Sequence, residues 1–157
     1  MKIDFIVKYD DDDVRNYLDE VERRLSDFRP LFLKIQKELE MSWSSNFTTL
    51  GLTSGSPWKP LDSQYGSWKA VNFPGAPPMV KTGQLFSSLS DLRGKPNEIE
   101  RMRARFGTNI EYAKFHQYGT TRMPKRQIVF VEQGAESRWA DQAANYVVDG
   151  AEGAGND

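Results

Sequence analysis

Apolar residues recur at three- and four-residue steps from Val14 to Trp43, and this rhythm constrains the first third of the chain more tightly than anything else in it. Val14, Tyr17, Leu18, Val21, Leu25 and Phe28 fall on one helical face, while Asp19, Glu20, Glu22, Arg23 and Arg24 fall mostly elsewhere. Leu31, Phe32, Ile35, Leu39 and Trp43 continue the stripe to about Ser44. Pro30 lies between the two runs. It has no N–H and its ring crowds the preceding turn, so it ends or kinks the first helix or occupies the first turn of the second. The acidic run Asp10–Asp13 suits a helix start, where carboxylates meet unpaired N–H groups and the positive end of the dipole. As a calcium loop it lacks the glycine and the distal glutamate that such loops use.

Period-two alternation predicts a small sheet for this helical region to pack on. Ile3, Phe5 and Val7 alternate with Lys2, Asp4, Ile6 and Lys8, which reads as a short first strand. Met102, Ala104 and Phe106 alternate with Arg101, Arg103 and Arg105, and Gly107 closes that strand. Gln127–Val131 is apolar and β-branched and predicts another. Between them, Tyr112, Ala113, Phe115 and His116 suit a short helix stopped by Gly119, followed by a loop over Thr120–Arg126. Thr82 is placed to cap a helix through Leu85, Phe86, Leu89 and Leu92, ended by Gly94. Gln133–Val148 reads as a closing helix.

Residues 45–83 differ in character, being rich in Ser, Thr, Gly and Pro. Pro57, Pro60, Pro74, Pro77 and Pro78 predict little regular structure there. Yet the stretch carries Trp58, Leu61, Tyr65, Trp68, Phe73 and Met79, which a purely solubilising linker has no use for. It is expected to be flexible in the free protein and fixed in an assembly. The whole predicts one α+β domain over residues 1–148: an N-terminal helical region on a small antiparallel or mixed sheet, a long aromatic loop and a C-terminal helix. Residues 149–157 are small and polar and are expected to form a disordered tail.

Composition removes several function classes. The 157 residues suit one domain with a real core. A net charge of −1 argues against wholesale electrostatic capture of nucleic acid or anionic lipid. There is no cysteine, so no thiol nucleophile or thiolate metal site. No apolar run approaches the roughly 20 residues that span a bilayer, and the first residues lack the apolar core of a signal peptide. His116 is the sole histidine, so any Ser–His–Asp device must run through it, and no Gly-x-Ser-x-Gly elbow supports one. A hydrolase built on His116 is therefore the weakest reading, and local packing of His116 the simpler one. Zinc needs three or four ligands, usually His or Cys, and one histidine with no cysteine argues against it. The glycines form no phosphate-cradling pattern. No catalytic residue, metal site or cofactor is assigned.

Arg101, Arg103 and Arg105 carry more information. Period-two spacing puts their guanidinium groups on one face of the expected strand, with Arg122, Lys125 and Arg126 toward its ends. Such a face suits sequence-independent contact with phosphates or with an acidic neighbour. A solvated face balanced by the acidic residues elsewhere is the plainer alternative.

Three pieces, taken in order, resemble a known family. They are Trp58-Lys59-Pro60-Leu61; Lys81-Thr82-Gly83-Gln84-Leu85 with Ser87 and Ser88; and Phe106–Val131, FGTNIEYAKFHQYGTTRMPKRQIVFV. Together they resemble the phage virion morphogenesis (tail-completion) family, which includes the G-like protein of phage Mu. The positions that match are Trp58, Pro60, Leu61, Thr82, Gly83, Leu85, Ser88, Gly107, Tyr112, Ala113, His116, Gln117, Gly119, Pro124 and Arg126. Members often continue from the arginine into Pro-Phe, whereas Gln127-Ile128 follows here. The resemblance implies a non-enzymatic structural protein that completes or terminates a tail and supports head–tail joining. It also implies a homo-oligomeric ring, six-fold to match the tail, with tail tube and connector proteins as partners. Non-specific contact with packaged DNA would follow. Assembly in the host cytoplasm and then residence in the virion are the expected locations. Trp58, Leu61, Trp68, Tyr112, His116, Gln117 and Gly119 would then serve assembly contacts or their support. The rival reading is a nucleic-acid-binding module using the Arg101/Arg103/Arg105 face.

Overall fold

A computed structural model describes residues 11–150. The expected first strand, Ile3–Val7, lies outside them. Six helices and one two-stranded sheet follow in the order α1 (Asp11–Leu25), α2 (Arg29–Thr48), α3 (Ser63–Asn72), α4 (Gln84–Ser90), β1 (Glu98–Ile99), β2 (Ala104–Arg105), α5 (Ala113–Tyr118) and α6 (Ala135–Asp149). The α+β class holds, with helices far outweighing the sheet.

The two N-terminal stripes have different fates. α1 has Asp11, Asp12 and Asp13 in its first turn and Arg23 and Arg24 in its last, the arrangement the helix dipole favours. Yet none of its residues is buried, and Val14, Tyr17, Leu18 and Leu25 face solvent. Instead of covering a sheet, α1 packs against α6. Arg24 joins them by donating to the carbonyls of Val147 (3.2 Å) and Val148 (2.9 Å) near the C-terminus of α6. α2 is the true core helix. Pro30 sits in its first turn, and Leu31, Ile35, Leu39, Trp43 and Phe47 are buried along one side. They meet Leu85 and Leu89 of α4, Leu92, Ala113, Ile128 and Phe130. Fully burying a side chain of this size contributes about 1.5–3 kcal/mol. α6 closes the core with Trp139, whose indole donates to Glu38 at 2.8 Å, and Tyr146, whose hydroxyl donates to the Asp27 carbonyl at 2.8 Å.

The sheet is smaller than its pattern promised. β1 and β2 pair antiparallel, with Glu98 opposite Arg105 and Ile99 opposite Ala104. Residues 100–103 form the hairpin turn, closed by a bond from the Glu100 N–H to the Arg103 carbonyl (2.7 Å). Arg101, Arg103 and Arg105 therefore do not share one strand face, and only Arg105 lies in a strand. Nor does Gly107 require a left-handed backbone; its N–H is held by Asn97 at 2.7 Å.

Gln127–Val131 corrects the reading in another way. Its alternate residues Ile128 and Phe130 are buried, but it bends at Val129 and joins no sheet. Side chains replace the missing strand partners. Gln117 accepts from the N–H groups of Ile128 and Val129, both at 2.9 Å, and donates to the Val129 carbonyl at 2.8 Å. The Gln127 carbonyl accepts from Asn46 (2.9 Å) and from the Trp58 indole (3.0 Å). The Phe130 carbonyl accepts from the Trp43 indole at 2.7 Å. Buried backbone groups need partners of some kind, and here amides and indoles supply them.

Residues 45–83 hold more structure than their composition suggests. α2 runs on to Thr48, and α3 forms where Asp62 caps the N–H groups of Gln64 (3.0 Å) and Tyr65 (3.3 Å). The buried Lys69 of α3 donates to the carbonyls of Pro77 and Pro78, fastening the proline segment back onto the helix. Gly51, at φ +92°, passes so close to Trp58 and Ser56 that an added Cβ would lie 2.5 Å from each. α4 starts one residue later than expected, with Gly83 at φ +81° as its cap in place of Thr82, and stops at Ser90.

Candidate functional site

The three pieces singled out in the sequence converge on one groove of about 680 Å³. Leu61, Asp62 and Tyr65 come from the start of α3. Pro78 to Gly83 lead into the α4 wall of Gln84, Leu85 and Phe86. Tyr112, Phe115 and His116 form the α5 wall, and Arg122, Met123, Pro124 and Arg126 follow from the next loop. The lining is mostly apolar, with a few polar groups at its edge. Of the family-like positions, Leu61, Thr82, Gly83, Leu85, Tyr112, His116, Pro124 and Arg126 line it.

Other positions hold the walls in place. Gly119 ends α5 at φ +77°, and an added Cβ would lie 2.9 Å from the Lys125 N and 3.1 Å from the Met123 carbonyl. Only glycine permits that return of the chain. Thr120 then closes the turn by accepting from the N–H groups of Arg122 (3.2 Å) and Met123 (3.0 Å). The Arg126 N–H donates to the His116 carbonyl at 2.7 Å. Its guanidinium donates to the Lys59 carbonyl at 3.0 and 2.9 Å and to the Pro60 carbonyl at 3.0 Å. Expected at a partner or DNA face, Arg126 is instead 5% exposed and joins the Trp58–Leu61 piece to the loop after α5. Burial lowers its pKa from the ordinary arginine value. Trp58 is likewise an internal support and not a contact, packed edge-on against Phe47 at 5.4 Å. Gln117 sits behind the groove on the Ile128–Val129 backbone.

His116 lies between these two roles. Its ring meets Tyr112 edge-on at 6.1 Å. Its Nδ1 is enclosed and has no hydrogen-bond partner. Burial, and then the charge of Arg126, push its pKa below the ordinary value, which favours the neutral imidazole. Among the described residues no carboxylate bonds to this ring, as the orienting member of a Ser–His–Asp device would. Among the described residues no group of three or more ligating side chains stands ready for a metal.

The groove's rim is cationic and aromatic. Lys81 lies over the rings of Trp68 (5.3 Å) and Phe73 (5.2 Å), and Tyr65 stacks on Trp68 at 5.6 Å. Tyr65, Tyr112 and Phe115 line the groove with their side chains partly exposed, and Trp68 is exposed under Lys81. Arg122 and Lys125 are exposed in the loop beside it. Arg101, Arg103 and Arg105 lie on the hairpin, which contributes nothing to the groove, and Arg103 pairs with Glu100 at 3.0 Å.

A description of one protein family matches residues 9–147, nearly the whole chain. The chain belongs to the phage virion morphogenesis family. No protein of curated function and no solved structure gives a significant match. Membership in this family assigns a structural role in virion assembly. No helix among the described residues is long and apolar enough to cross a membrane.

Sequence reasoning found the motif positions but missed what they build. Asn46 and Lys69 escaped it. Asn46 had a signal: it falls three residues after Trp43 on the buried stripe, where a polar residue implies a buried bond. Lys69 had none, since its partners are backbone carbonyls beyond a helix end.

Proposed function

We propose that this protein completes or terminates the phage tail and supports its joining to the head, as a non-enzymatic component that assembles in the host cytoplasm and remains in the virion. The observation that carries this reading is the convergence of the family-like positions on one apolar groove with an aromatic and cationic rim. Apolar, aromatic-rich concavities are what protein segments dock into. A ring of copies, six-fold where the tail is, suits the role, with tail tube and connector proteins at its two faces.

The test is genetic and visual. Phage lacking a working copy is expected to accumulate filled heads and separate tails in electron micrographs, restored by the wild-type gene and not by Arg122→Glu/Lys81→Glu. Normal particles in the absence of the protein would end this reading. The nucleic-acid alternative has lost the single arginine face that motivated it, since the hairpin turns at residues 100–103.

A further inference from the structure

The groove has an excess of positive charge that no free carboxylate among its lining residues answers, although Lys81 lies over the Trp68 and Phe73 rings. Its one carboxylate, Asp62, is occupied capping the N-terminus of α3. Lys81 and Arg122 are exposed at the rim, and among the described residues no ion pair engages either. The floor, by contrast, is apolar. A matching occupant is a segment with bulky apolar side chains beside carboxylates.

This chain carries one such segment. Residues 4–13 read DFIVKYDDDD, in which Phe5, Ile6, Val7 and Tyr9 run into four aspartates against a single lysine. The acidic tail after Val148 has no bulky apolar residue to offer. The last aspartates of the segment open α1, which buries none of its residues and is fastened through Arg24 at its far end to α6. Fifteen residues of helix span about 22 Å, so the acidic end stands well away from that anchor. It is placed to reach a neighbour.

We infer that residues 4–13 of one copy dock in the α3–α4–α5 groove of a second copy. Phe5 and its apolar neighbours fill the floor, and Asp10, Asp11 and Asp13 meet Lys81 and Arg122. The contact is head-to-tail: the segment and the groove are different surfaces, so each copy uses one of each and a chain of contacts closes into a ring when the rotation permits. The inference rests on the assembly reading only in taking the protein to self-associate.

Two full-length variants test it, one with a defective arm (Phe5→Ser/Val7→Ser) and one with a defective groove (Lys81→Glu/Arg122→Glu). Wild type is expected to associate with rising concentration in light scattering on a sizing column. Each variant alone should need about tenfold or more protein to do so. Mixed, they should form a one-to-one pair and nothing larger, because one intact arm and one intact groove remain. His116 is the sole histidine, so its ring signals in an isotope-labelled arm-defective chain report groove occupancy directly. They should move when the groove-defective chain is added and stay fixed when a doubly defective chain is added. A wild type that stays monomeric overturns the inference, as does a variant that associates like wild type or a mixture that forms no pair. Wild-type chains that stay monomeric yet still join heads to tails would leave the tail role standing and remove only this contact.

Discussion

Replacing Gln117 removes the bonds that stand in for a strand partner. In Gln117→Ala the Ile128 N–H, the Val129 N–H and the Val129 carbonyl all lose their partner. Ile128 is wholly buried, so water cannot take over there, whereas Val129 is only half-buried. A typical bond contributes about 1 kcal/mol net, and an orphaned buried group costs about 1–3 kcal/mol, so one orphaned group and two lost bonds come to about 3–5 kcal/mol. That is a large share of the roughly 5–15 kcal/mol that stabilises a domain. Melting should fall by about 6–20 °C at this chain length. Urea unfolding followed by tryptophan fluorescence suits the measurement, because Trp43 and Trp58 both bond to the same segment. Gln117→Met keeps most of the volume and none of the bonds. It should lose nearly as much as the alanine variant. If methionine restores wild-type stability, or if alanine costs under about 1 kcal/mol, the segment is held by packing and the argument from backbone satisfaction is wrong.

Three further substitutions probe the groove walls. Gly119→Ala should destabilise by about 1–3 kcal/mol, since the new Cβ meets the Lys125 and Met123 backbone, whereas Gly75→Ala at a similar φ of +76° meets nothing within 4 Å and should cost less; equal losses in chemical denaturation would contradict this. Arg126→Lys cannot span the Lys59 and Pro60 carbonyls with a planar fork, so a loss of about 1–3 kcal/mol is expected, and an unchanged midpoint would refute the bridging role. His116 has a lowered pKa in the folded chain, so the unfolded chain takes up a proton first as pH falls; its contribution is intact above about pH 6.5 and is lost from there down to the folded value. Melting curves from pH 7.5 to 5 should therefore fall more for wild type than for His116→Gln, and parallel curves would contradict it.

The local rules of the sequence reached α2, α5 and α6 closely because one face or one glycine stop decides each of them. Leu31, Ile35, Leu39 and Trp43 are buried as their spacing requires, and Gly119 ends α5 where a left-handed residue is needed. The same rules misplaced the arginine strand and Gln127–Val131. Alternation reports which side chains are buried, and Ile128 and Phe130 are; it does not report who bonds the backbone between them. A sheet neighbour was the default answer, and Gln117, Asn46, Trp43 and Trp58 gave another. α1 shows the opposite failure. Its apolar stripe is real, but periodicity cannot say whether the stripe is covered by the same molecule. The groove itself was not legible, because it is a property of three separated pieces brought side by side.

Those pieces are joined by bonds that belong equally to the core, and this has a consequence for recognition. The Gln127 carbonyl takes bonds from Asn46 on α2 and from Trp58. One residue away, Arg126 holds Lys59 and Pro60 with its side chain and the His116 carbonyl with its N–H. The Lys69 bonds to Pro77 and Pro78 fix the segment that leads into the α4 wall. The floor of the groove is thus set by α2 and by buried polar groups that tolerate little displacement. Ordering a loop at the moment of binding costs free energy that a fixed wall does not, so a segment docked as proposed would meet a pre-organised floor. The rim is different: Lys81, Arg122, Tyr65 and Trp68 are exposed and held by ring contacts or by nothing rigid. A rigid apolar floor with an adjustable charged rim selects a partner by shape and draws it in by charge, which is the division of labour an assembly contact requires.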